Sequence, residues 1–109
     1  MPILLLDKEK CLRNLDKMAR KASGLSLSFR PHCKTHQSAE IANWTRDFGV
    51  NSITVSSFSM ARYFALAGWK DILVAFPVQP GEIAELIDIS GHCKLSILVD
   101  SPAALPFLN

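Results

Sequence analysis

The spacing of apolar positions changes period along this 109-residue chain, and each change marks an element. Residues 2–6 form a short unbroken apolar run that reads as a strand. Asp7 is placed to cap a helix, along which Leu12, Leu15, Met18 and Ala22 recur at helical spacing. Lys8, Arg13, Lys17 and Lys21 occupy its other faces, and Ser23-Gly24 ends it. From residue 25 a regular alternation begins. Residues 25–34 read as a strand, with Leu25, Leu27 and Phe29 alternating with Ser26 and Ser28. Ser38 caps a helix with Ile41, Trp44 and Phe48 on one face and Gly49 at its end. Residues 52–57 are a second strand and 60–67 a second helix, ended by Gly68. Residues 71–78 are a third strand, almost continuously apolar. Pro80 opens a third helix with Ile83, Leu86 and Ile87 as its buried stripe. Residues 94–99 are a fourth strand, and Asp100-Ser101-Pro102 reads as a helix entrance.

Strands rich in Ile, Leu and Val, spaced by about 20 residues and alternating with amphipathic helices, imply an α/β fold with a parallel sheet under helices. Pattern alone leaves two architectures open, a (β/α)8 barrel and an open doubly wound sheet. No Gly-rich loop follows the first strand, which weighs against a dinucleotide-binding version. Four strands would make half a barrel with two open edges, so the chain is expected to be one truncated domain over residues 1–109.

Composition narrows the function classes. The chain is 49% hydrophobic, enough for a single core. Its charge of +2 is spread among interleaved acids and bases, which offers no nucleic-acid or anionic-membrane face. No apolar run reaches the roughly 20 residues of a membrane span, and the N-terminus lacks the marks of a signal peptide. Cys11, Cys33 and Cys93 have no paired or metal-ligand spacing, which fits a reducing cytosol and gives no metal site.

The chemistry concentrates in Arg30-Pro31-His32-Cys33-Lys34-Thr35-His36, at the C-terminal end of the first repeating strand, where βα folds build their sites. Alternation along a strand puts Arg30, His32 and Lys34 on one wall and Cys33 on the other. A Lys amine condenses with an aldehyde when unprotonated, and burial or neighbouring cations such as Arg30 and His32 favour that state. His36, just beyond, can move protons near neutral pH. The bland alternative is a solvated Lys beside surface histidines. Thr35, Ser56, Ser57 and Asp100 read as turn or helix caps, and Trp44, Phe48 and Phe64 as core. Cys33 receives no catalytic role, and His92 reads as solvated.

The stretches RPHCKTHQSAEIA, NSITVSS, ARYFALAGWKDILVAFPV and LSILVDS, after the opening PILLLDKEKCLRNLDKMA, resemble the D-threonine aldolase and D-serine dehydratase family. These are pyridoxal-phosphate enzymes of the alanine racemase-like fold type, and the resemblance runs in order along essentially the whole chain. It implies the first four βα units of a (β/α)8 barrel, preceded by a short strand and helix and followed in the parent by a β-rich domain. It implies that Lys34 carries pyridoxal 5'-phosphate, that Arg30 contributes to cofactor binding, and that His32 and His36 assist catalysis. The implied reaction is aldol cleavage or elimination on a small D-β-hydroxy amino acid, in a cytoplasmic homodimer. A divalent metal is implied only for the missing C-terminal domain, and the chain alone is expected to be inactive. Met60 departs from the family, where an acidic residue usually precedes the Ala-Arg pair. Two other readings remain: a non-catalytic pyridoxal-phosphate-binding barrel, or an inactive remnant.

Overall fold

A computed structural model describes residues 2–108, with the exception of the Phe107 side chain. Three parallel strands, β1 (Ile53–Val55), β2 (Asp71–Pro77) and β3 (Lys94–Leu98), lie in the order β1-β2-β3. Helices α1 (Lys8–Gly24), α2 (Ala39–Arg46), α3 (Phe58–Leu66) and α4 (Ile83–Ser90) separate or precede them. The α/β class with a parallel sheet is as the apolar pattern requires.

Sheet register sorts the side chains into two faces. Ile53, Ile72 and Leu95 form one row, and Val55, Val74 and Ile97 the next on the same face. On that face α3 buries Phe58, Ala61, Phe64 and Ala65, and α4 adds Ile89. Trp69, which the sequence pattern did not single out, is 2% exposed and completes this core. The Arg46 guanidinium lies 4.3 Å from its indole centroid. The other face carries Thr54, Leu73 and Ser96 in one row.

The capping chemistry holds. Asp7 accepts the Lys10 amide, Ser38 Oγ that of Ile41, and Ser57 Oγ that of Met60. Gly68 sits at φ +100°, a conformation open to glycine at the exit of α3. Met60 packs against the core, so an apolar residue there has a structural use.

Several expectations are corrected. Residues 2–6 form no strand; Ile3, Leu4, Leu5 and Leu6 are exposed, because no described strand offers them a hydrogen-bonding partner. The strand at 25–34 shrinks to a single bridge between His32 and Thr54, with the Thr54 amide donating to Pro31 O at 2.9 Å. Ser26 at φ +56° interrupts the extended chain upstream, and Pro31 has no amide to extend the ladder. The four expected βα strands are therefore three strands and a bridged segment. The α4 stripe runs through Ile83, Leu86 and Ile89, leaving Ile87 exposed. Finally, Trp44 and Phe48 are only half-buried; Trp44 packs under the Lys8 ammonium, 4.8 Å from its ring centroid. Of the α1 stripe, Leu12, Leu15 and Ala22 are half-buried and Met18 is exposed. The segment at 102–108 is a 3-10 helix rather than an α-helix.

Candidate functional site

His32 stands opposite Thr54, so its side chain shares the face of Thr54, Leu73 and Ser96. One residue later the chain turns. Cys33–Thr35 form a single 3-10 turn at the C-terminal rim of the sheet, and Lys34 is exposed on it. Cys33 points the other way, into the core, 2% exposed, as alternation predicts. Burial pushes its thiol up to about 11, which leaves it protonated at neutral pH.

Side chains, rather than a strand or helix, fasten this loop. The Lys34 amide donates to His32 Nδ1 at 3.1 Å, and the Gln37 amide to Cys33 O at 2.8 Å. The Ser38 amide donates to His36 Nδ1 at 2.9 Å. Tyr63 on α3 accepts the Ala39 amide through its hydroxyl at 3.0 Å. Gln37 takes φ +52°, a conformation that costs a non-glycine residue about 1 kcal/mol and persists because its neighbours hold it. Burial lowers the His36 pKa from its ordinary value. Burial first, and the Lys34 charge second, do the same for His32.

Arg30 lies elsewhere. Its guanidinium donates to Asp71 Oδ1 and to Ile53 O, both at 2.9 Å. Ile53 and Asp71 begin their strands, so this clasp closes the N-terminal foot of the sheet, opposite the rim that carries Lys34. The expected wall of Arg30, His32 and Lys34 is thus divided, with the two histidines and Lys34 at the rim and Arg30 at the foot. Sequence reasoning missed Tyr63 and Asp71. Both act across 24 and 41 residues of chain, a separation that no local pattern encodes.

A groove of about 480 Å³ lies at the foot, lined in part by Ala22, Phe29, Arg30, Phe48, Val50 and Asp71. Among the described residues no cluster of three or more His, Cys, Asp or Glu could hold a metal, and no helix is long and apolar enough to cross a membrane.

No family model matches the chain. The D-threo-3-hydroxyaspartate dehydratase of Delftia sp. (strain HT23) is 33% identical over 104 residues, 94% of this chain and 27% of that protein. The D-serine dehydratase of Dictyostelium discoideum is 32% identical over 92% of this chain and 27% of its own length. The crystal structure of D-threonine aldolase from Filomicrobium marinum superposes with a TM-score of 0.93 at 26% identity, covering 99% of this chain and 30% of that one. Over nearly its whole length the chain is similar to D-serine dehydratases and D-threonine aldolases. An alanine racemase-like protein from Idiomarina loihiensis shares the fold at a TM-score of 0.76 and 25% identity, over 91% of this chain and 27% of that one. The chain spans about a quarter of the length of the curated relatives it matches.

Proposed function

We propose that this chain supplies the cofactor-bearing lysine of a pyridoxal-phosphate lyase acting on small D-β-hydroxy amino acids, by aldol cleavage or elimination. The observation that carries the proposal is the exposed Lys34 amine on a side-chain-fastened turn at the C-terminal rim of a parallel sheet. An accessible amine fits the aldehyde end of pyridoxal 5'-phosphate, because condensation needs an approachable nitrogen. When bound, the cofactor would supply an electron sink for cleavage next to the amino-acid Cα. This chain's own residues would hold and orient Lys34: His32 and His36 at the rim, and Arg30 from the foot. The sheet in this reading is the opening portion of a (β/α)8 barrel, its remaining strands and phosphate grip lying in the part of the relatives that this chain does not span. The whole protein in this reading is a cytosolic homodimer with a divalent metal in a further domain.

The test is chemical trapping. Purified chain is mixed with pyridoxal phosphate, reduced with borohydride, digested and mapped by mass spectrometry. Label on the Lys34 peptide, absent in Lys34→Ala, is the expected result. Label spread evenly over surface lysines, and unchanged in Lys34→Ala, would overturn the proposal. Before reduction, the chain mixed with pyridoxal phosphate is expected to show little or no turnover of D-serine or D-threonine by itself.

A further inference from the structure

Two imidazoles bracket the Lys34 turn, and both use Nδ1 in the same way. The Lys34 amide donates to His32 Nδ1, and the Ser38 amide to His36 Nδ1. A backbone amide can only donate, so each Nδ1 it meets must carry a free lone pair and no proton. The single proton of a neutral ring then sits on Nε2. We propose that His32 and His36 are positioning residues, each held as the Nε2–H tautomer by an amide at Nδ1, which together fix the turn that displays Lys34 instead of relaying protons beside it.

The surrounding loop supports this role. Between β1's bridged neighbour and α2 there is no ladder to satisfy the backbone, yet the amides of Lys34, Gln37, Ser38, Ala39 and Ile41 all find acceptors. Four of those five acceptors are side-chain atoms, and two of the four are these ring nitrogens. A ring whose Nδ1 is engaged by an amide cannot take a proton there while the turn stays closed. It therefore cannot pass one from nitrogen to nitrogen. What each ring retains is one Nε2–H donor. His92 has no ring hydrogen bond among the described residues and serves as the internal comparison.

The experiment needs no cofactor. Long-range proton–nitrogen correlation spectra of the ¹⁵N-labelled full chain, at about pH 7.5, read the tautomer of each ring directly. The expected result is an unprotonated Nδ1 and a protonated Nε2 in both His32 and His36, without the minor Nδ1–H form that an unconstrained ring such as His92 keeps. A protonated Nδ1 in either ring overturns the inference. Paired variants then separate the two nitrogens. His32→Asn sets an acceptor where Nδ1 stood, whereas His32→Gln reaches the place of Nε2. Lys34 amide exchange is expected to stay within about twofold in the Asn variant and to rise ~10-fold in the Gln variant. His36→Asn and His36→Gln should divide in the same way at the Ser38 amide. Equal exchange in the two members of a pair overturns the inference. If a Gln variant does not fold, the ring spectra of the unsubstituted chain decide. That Lys34 holds a cofactor rests on the proposed function. Trapping at Lys34 and the ring tautomers can each fail without the other.

Discussion

The segment around residues 29–34 is fastened at its two ends by different chemistry. At the foot of the sheet one long side chain does the work: Arg30 reaches a carboxylate and a carbonyl on two strands. The rim is held by several bonds, each from a backbone amide to a side chain or a nearby carbonyl. The foot depends on charge in a half-buried place, where removing one partner strands the other. The rim depends on neutral acceptors, each contributing a modest net amount. The difference teaches how a reactive amine can be displayed in water while its backbone stays fixed. Rigidity is distributed over small bonds near Lys34, and the single strong contact is kept away from it.

Breaking the foot should have the largest effect. Arg30→Ala leaves the Asp71 carboxylate unpaired and is expected to cost about 2 kcal/mol, read as a lower urea midpoint. His32 and His36 should keep their ring signals in that variant; their loss would show that foot and rim are one unit. Ser38→Ala removes the cap of α2 beside the rim and should cost about 1 kcal/mol. Tyr63→Phe deletes one acceptor at a half-open position and should cost about 0.5 kcal/mol, with faster exchange at the Ala39 amide as its signature.

Acid gives the gentlest distinction. Folding lowers the affinity of His32 and His36 for protons, so the unfolded chain binds more of them below 6.5. Stability from these rings is complete above pH 6.5 and falls as the pH drops below it. A urea midpoint followed from about pH 7.5 to 5.5 should decline, staying above most carboxylate titration. His32→Asn should flatten part of that slope. A midpoint independent of pH over this range would contradict the lowered values.

What the chain's letters reveal divides along the same line. The caps Asp7, Ser38 and Ser57 were readable because a cap and its helix are neighbours in sequence. Strand β2 was readable because a parallel strand under helices is a nearly continuous apolar run, and β3 because Leu95 and Ile97 alternate with Lys94 and Ser96. Residues 2–6 look the same locally and form no strand, since a strand also needs a partner and sequence pattern is silent about partners. His32, Lys34 and His36 were legible as chemistry-bearing types. The engagement of both Nδ1 atoms was not, because it depends on a turn that begins one residue before the expected end of the strand. Arg30 was assigned to the rim by strict alternation. The clasp with Asp71 shows that a long side chain on the right face can still serve the opposite end.

Cys33 lies between His32 and Lys34 in sequence and yet is sealed from the surface they share. With its thiol near 11, roughly one molecule in ten thousand carries a thiolate at neutral pH. Alkylating agents and peroxide should therefore spare it and attack Cys11 or Cys93, which are partly accessible, first. The residue next to the amine is thus a poor handle for thiol-directed labels, and oxidative damage to this chain should begin far from the turn.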